Sequence, residues 1–279
     1  MKSEKIKKEV REGYAKIAKQ DTSCCAPVNS CCGDTNLAQD ISMKIGYTEE
    51  ELKAAPEGAN LGLGCGNPIA LASLREGETV LDLGSGAGFD CFLAADKVGK
   101  SGRVIGVDMT PEMIEKAREN LKKGIYGNVE FRLSEIENLP VADNYVDVVI
   151  SNCVINLSPD KRRVFMETFR VLKPCGRLII SDIVLLKELP DSIKNSIEAY
   201  IGCLSGAIMR DEYIEAIKEA GFQKVKIIDE TSFPIEFMAN DPTASAIIKN
   251  LKIPYEKIKD VANSVVSIKI HGIKPNEIT

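Results

Sequence analysis

The order of apolar and polar positions changes character along the chain. Near the start, Ile6, Val10, Tyr14 and Ile17 recur every three or four positions among charged residues, which predicts an amphipathic helix over residues 1 to about 22. From Asp21 to Asn36 turn formers and four cysteines follow without a period, so a mobile loop is expected there. Thr48, three residues ahead of Glu51, predicts a short helix closed by a capping box. After Pro68, short β-branched runs alternate with helix-period segments, the pattern of a parallel sheet covered on both faces. The runs are 79–83, 103–108, 129–133, 146–151 and 177–181, with helices expected near 88–98, 111–123 and 159–173. In the last of these, Val164, Phe165, Phe169 and Leu172 form the expected buried stripe, and Lys161, Arg162, Glu167 and Arg170 the wet side. Two further strands, 224–229 and 265–270, follow helical stretches near 191–204 and 211–220.

Composition narrows the class. The 279 residues carry 36 Lys and Arg against 41 Asp and Glu, a net charge of −5, and no basic stripe, which argues against a nucleic-acid partner. No apolar run approaches the roughly 18 residues of a membrane span, and the first residues lack a signal-peptide core, so a cytoplasmic chain with no membrane partner is expected. The unusual numbers are nine cysteines against one histidine, His271. That balance points to reactive thiols or a soft-metal site and leaves little room for chemistry that needs an imidazole base. His271, within the last strand, reads as structural.

The run 79–83 leads into Gly84-Ser85-Gly86-Ala87-Gly88-Phe89-Asp90, where a helix opens. A glycine-rich turn at the carboxyl end of a parallel strand lets a ligand approach the backbone and the free N–H groups of the helix start. The dinucleotide spacing G-x-G-x-x-G/A fails here, because the sixth position is Phe89 counted from Gly84 and Cys91 counted from Gly86. The spacing G-x-G-x-G, with Asp82 two residues ahead, resembles instead the first motif of class I S-adenosylmethionine-dependent methyltransferases. That resemblance implies a Rossmann-like α/β fold with a mostly parallel seven-stranded sheet, and S-adenosyl-L-methionine as cofactor. It assigns Asp82, Gly84, Ser85, Gly86 and Gly88 to the aminoacyl end and Asp108 to the ribose hydroxyls. Glu135 and Ile136 fall at the adenine, and Asn152 faces the middle of the cofactor. Met109, beside Asp108, joins this set, although a methionine in such a place is more often a core side chain.

Three cysteines lie in distinctive texts: Cys65 in Gly64-Cys65-Gly66-Asn67-Pro68, Cys153 in Ser151-Asn152-Cys153-Val154, and Cys203 in Gly202-Cys203-Leu204-Ser205. These texts resemble those of the arsenite S-adenosylmethionine methyltransferases, over nearly the whole chain and far more specifically than the glycine loop. The resemblance implies that Cys65, Cys153 and Cys203 hold trivalent arsenic and act in catalysis. It also implies that one of Cys24, Cys25, Cys31 and Cys32 forms a disulfide during turnover, which one staying open. Arsenite and methylated arsenic(III) species would be the substrates, and thioredoxin or a small thiol the reductant. Thiolates are soft donors, and the arsenic lone pair has no proton to lose before it attacks a sulfonium methyl group, so the shortage of histidine fits the expected reaction. Cys91 and Cys175 read as packing or surface residues. Zinc at the cysteine doublets fits poorly, since structural zinc favours C-x₂₋₄-C spacing.

The expected layout is an N-terminal helix, Cys-rich loop and metalloid segment over 1–68, a cofactor-binding core over 69–185, and a smaller region over 186–279 that completes the arsenic site and the sheet. Two rival functions remain on these residues. One is a C- or O-methyltransferase acting on a quinone, sterol or other small molecule; the other is a non-catalytic metalloid-binding protein.

Overall fold

The computed structural model describes residues 3–19, 34–194, 196, 199–200, 203–232, 261, 263–276 of the chain. The cysteine doublets 24–25 and 31–32 lie outside the described residues. Strands β1 (Thr79–Leu83), β2 (Arg103–Asp108), β3 (Val129–Leu133), β4 (Val146–Asn152), β5 (Leu172–Leu185), β6 (Gln223–Ser232) and β7 (Val265–Ile273) form one sheet in the order β3-β2-β1-β4-β5-β7-β6. The first five are parallel, and β7 runs antiparallel between β5 and β6. This is a class I methyltransferase, Rossmann-like sheet. Chain order reverses between β1 and β4, and at such a switch point a crevice opens at the carboxyl ends of the strands.

Helices cover both faces. On one lie α3 (Glu49–Ala54), α4 (Pro68–Ala72), α5 (Phe89–Val98) and α6 (Pro111–Lys123); on the other lie α7 (Lys161–Val171) and α9 (Arg210–Glu219). Further helices among the described residues are α1 (Ser3–Lys19), α2 (Asp34–Lys44) and the single turn α8 (Asp191–Lys194). Strands buried on both faces explain the near-continuous apolar runs Val80–Leu83 and 146–150. A third apolar cluster sits at the carboxyl ends, where Val10 of α1 meets Cys65, Cys153, Leu157, Ile183, Tyr200 and Cys203. Among the described residues no helix is long and apolar enough to cross a membrane.

Several local expectations change. The expected loop over 21–36 runs into α2, which begins at Asp34. The period of this helix is weak, and its support is tertiary: Ser42 Oγ donates to Asn60 Oδ1 at 3.0 Å, and Ala38 and Ile41 lie against Gly62. Strand β5 extends well beyond 177–181 because β7 pairs with it continuously from Arg177 to Leu185. Glu167, expected on the wet face of α7, is buried; it accepts from Leu139 N at 2.9 Å and from Arg170 Nη2 at 2.7 Å, so its charge is paired rather than solvated. The capping box of α3 forms as the spacing predicts, with Thr48 Oγ1 accepting from Glu51 N and Glu51 Oε2 accepting from Thr48 N.

Candidate active site

The turn after β1 is drawn against β2. Gly84 N and Ser85 N both donate to Val107 O, at 2.7 and 3.0 Å, which turns the loop outward at the head of the crevice. Gly84 and Gly86 have positive φ, 69° and 51°. A Cβ on Gly84 would come within 2.3 Å of Val154, whereas nothing stands within 4 Å of one on Gly86, so the loop is packed on one side and open on the other. Gly88, also at positive φ, caps α5 and lies against Phe131 and Phe92; its part is packing, and it does not line the cleft.

The cleft encloses about 1060 Å³ of empty space, open solvent included, and is lined among others by Asp82, Ser85, Asp90, Asp108, Ile136 and Asn152. Asp108 accepts from Gly86 N at 3.0 Å and Thr110 N at 2.8 Å, tying the two loops together. Asp82 is buried, and its carboxyl stands well above the usual range because burial and the neighbouring Asp90 both disfavour its charge. Burial pushes Asp90 up to about 6, against hydrogen bonds from Tyr47 and Asn152. Cys91 donates to Asp82 Oδ2 at 3.2 Å, so this buried thiol supports a cleft residue from behind. Two carboxyls and the buried hydroxyl of Ser85, which has no partner among the described residues, thus face one open glycine turn. They fit a ligand that brings a cationic ammonium and a polar aminoacyl group.

At the far end, Glu135 does not line the cleft. Its carboxylate turns to α1, where it accepts from Lys7 Nζ at 2.6 Å and Arg11 Nη2 at 3.5 Å. Glu137, which the sequence reading passed over, lines the cleft together with Ile136 and Met109. Lys7 also reaches Glu137, at 3.2 Å. Burial works against the charge of Lys7, but the bonds to Glu135 and Glu137 raise its pKa on balance. With Val10 and Tyr14, Lys7 makes α1 one wall of the cleft.

The three cysteines meet beside this cleft. The segment carrying Cys65 is pressed onto the ends of β4 and β5, and both flanking glycines are required by the closeness. A Cβ on Gly64 would lie 2.7 Å from Asn152 Nδ2, and one on Gly66 would lie 1.9 Å from Ser181 Oγ. Asn152 ties the two regions: its Oδ1 accepts from Cys65 N at 3.0 Å, and its Nδ2 donates to Gly66 O, Tyr47 Oη and Asp90 Oδ2 at 2.8, 3.0 and 3.1 Å. Cys153 follows at once, with a left-handed backbone (φ 58°) that turns the chain at the end of β4. Cys203 is left-handed as well (φ 62°), and its Sγ donates to Cys153 O at 3.0 Å. Such backbones cost on the order of 1–3 kcal/mol each in non-glycine residues, a cost that tends to be found at functional sites.

All three thiols are buried. Hydrogen bonds with Cys203 and Cys65, then burial, push the Cys153 thiol well above its usual range, and burial raises Cys65. Cys153 lines the cleft; Cys65 and Cys203 stand behind it. A fourth group, Asp182, joins them: one of its oxygens, Cys65 Sγ and Cys153 Sγ all lie within 4.8 Å of one another. Nothing in the local text Ser181-Asp182-Ile183 announced it, because only the pairing of β5 beside β4 brings it there. Cys175 is exposed and lies outside this cluster, and His271 sits within β7.

Residues 74–221 match a family described as a methyltransferase domain. The chain is 47% identical to an arsenite methyltransferase of Halobacterium salinarum over 281 aligned residues, covering 98% of this chain and 67% of that protein. It is 33% identical to an arsenite methyltransferase of Aquipseudomonas alcaligenes over 233 residues, 81% of this chain and 64% of the relative. The chain therefore spans about two thirds of the length of these relatives. Among solved structures, an arsenic(III) S-adenosylmethionine methyltransferase from Chlamydomonas reinhardtii superimposes with a TM-score of 0.61 at 31% identity, over 86% of this chain and 75% of that one.

Proposed function

The chain belongs to the arsenite methyltransferase family, and on that premise we propose that Cys65, Cys153 and Cys203 hold trivalent arsenic against a cofactor seated in the adjoining cleft. The reaction is methyl transfer from S-adenosylmethionine to arsenic(III). S-adenosylmethionine supplies an electrophilic sulfonium methyl group. Asp82 and Asp90, which line the cleft, would accept from its ammonium, Asp108 would accept from the ribose hydroxyls, and Glu137 with Ile136 would flank the adenine. Ser85 Oγ, buried without a partner among the described groups, serves the aminoacyl carboxylate.

The raised thiol pKa values are no obstacle to arsenic capture. Arsenous acid exchanges each As–OH bond for an As–S bond; the thiol proton leaves with the displaced hydroxyl as water, so three thiols release three waters and no base is consumed. Three sulfurs then complete the pyramid of arsenic(III) and leave its lone pair free. The remaining contribution of the protein is alignment and exclusion of water, which for well-oriented pairs supplies on the order of 7–11 kcal/mol. Methylation raises arsenic to the pentavalent state, and return to the trivalent state takes two electrons from a dithiol that becomes a disulfide. A small thiol or thioredoxin restores it.

The observation that carries this reading is the buried cluster of thiols sharing Cys153 with the cleft wall. Incubation with S-adenosylmethionine, arsenite and either thioredoxin or glutathione, followed by chromatographic separation of arsenic species, should yield methylated arsenicals. A Cys203→Ser protein that remains folded, binds cofactor and still methylates arsenite at the parent rate would refute the assignment.

A further inference from the structure

The three-sulfur reading leaves one member of the cluster without work. Asp182 is wholly buried, and its carboxylate is held by three donors: Asn156 Nδ2 and Ile183 N on Oδ1, both at 2.9 Å, and Tyr213 Oη on Oδ2 at 2.9 Å. A buried carboxylate is costly unless it is bonded, paired or coordinating a metal. Arsenic(III) needs three sulfurs and keeps a lone pair, so it has no use for an oxygen donor at the same centre. A d¹⁰ divalent cation differs, since zinc takes four ligands in a tetrahedron and accepts carboxylate oxygen beside thiolate sulfur.

We propose that Cys65, Cys153 and Asp182, completed by Cys203, form a tetrahedral site for a thiophilic divalent cation, zinc, which occupies the cluster in place of arsenic. The donor atoms of Cys65, Cys153 and Asp182 already lie within 4.8 Å of one another. Cys203 joins by releasing its bond to Cys153 O. The outer shell is also built. Asn156 and Tyr213 donate to the carboxylate and fix its direction, as the hydrogen-bonded neighbours of metal ligands do. Lys161 Nζ donates to Ser158 O at 3.0 Å beside the carboxylate's partner Asn156; burial lowers its pKa, and attraction to Asp182 and Cys203 works against that loss of charge. Binding releases the thiol protons to solvent, so affinity rises with pH. Zinc and arsenite compete for the same sulfurs, and Asp182 favours zinc alone. The inference shares its thiols with the arsenic reading but rests on Asp182, which that reading does not use.

The test uses the full chain carrying Cys24→Ser, Cys25→Ser, Cys31→Ser, Cys32→Ser and Cys175→Ser, so that the buried Cys91 is the one thiol left outside the cluster. Zinc alone is titrated against a chromophoric chelator, and zinc-edge X-ray absorption identifies the donors. One zinc per chain is expected, with sulfur at about 2.3 Å and oxygen at about 2.0–2.2 Å, and stoichiometric release on adding arsenite. Asp182→Asn should lower the ratio of zinc to arsenite affinity by about tenfold or more. Sulfur-only coordination in the parent, or arsenite binding without zinc binding, would overturn the proposal and leave the arsenic site standing. Failure to bind either would overturn both. Because the absorption spectrum is taken on the parent cluster, the result does not depend on Asp182→Asn folding.

Discussion

The cleft and the thiol cluster touch, yet they are built in opposite ways. The cleft takes its glycine turn and Asp108 from two strands consecutive in the chain, and the same short stretch brings Asp82 and Asp90. The cluster draws Cys65, Cys153, Asp182 and Cys203 from segments scattered over some 140 residues: sheet pairing sets the end of β4 beside Asp182, and Cys65 and Cys203 come from segments bonded onto that strand end. One region is charged and partly open; the other is thiol-rich and closed by apolar neighbours. The difference teaches where each can be disturbed independently of the other.

Cys153→Ser should separate the two regions most sharply. Turnover on arsenite is expected to fall by about 1000-fold, roughly 4 kcal/mol of transition-state stabilisation, with cofactor affinity nearly retained in a calorimetric titration. Asp90 acts in the other region and reads out through pH. Its folded pKa of about 6 lies above the 3.8 of an ordinary aspartate, so between these values the folded protein holds a proton that the unfolded chain has released. Its contribution to stability is therefore greatest below about pH 4 and is lost as pH rises to about 6. Asp90→Asn should remove about 3 kcal/mol of this slope, measured by urea unfolding across the window.

Asn152→Ala should blur the contrast by weakening arsenite and cofactor binding together, each by about tenfold, because one amide serves both regions. If only one affinity changes, the regions are less coupled than their hydrogen bonds indicate. The smallest effect is expected for Lys7→Met, which leaves Glu135 only its longer bond from Arg11 and Glu137 only its bond from Ser158. It should raise KM for S-adenosylmethionine about threefold without changing kcat. An equal loss in arsenite affinity would show that α1 governs the cluster as well.

The same contrast explains what could be read from sequence. The seven strands and the glycine turn are local patterns that alternation and spacing reveal; the placement of β7 between β5 and β6 is a long-range pairing that no local pattern carries. Asp82 and Asp108 follow from strand ends, whereas Glu135 rests on resemblance alone, and nothing in the sequence tells that its carboxylate turns to Lys7 and Arg11 while Glu137 lines the cleft. Tyr47 and Asp90 carry no signal in the sequence, since a tyrosine before a short helix and an acid at a helix start look like ordinary packing and capping. Asp182 carries no motif at all, and Cys203 was found only through resemblance.

The single amide of Asn152 has a mechanical consequence. Methyl transfer depends on the separation of two reacting centres, and productive geometry tolerates errors of only about 0.5 Å. In most two-part sites that separation accumulates the play of every intervening loop. Here one rigid side chain on a central strand grips the backbone of Cys65 with its oxygen and the cleft residues Tyr47 and Asp90 with its nitrogen. The tolerance chain between the two centres is one residue long, and it works as a gauge block rather than a hinge.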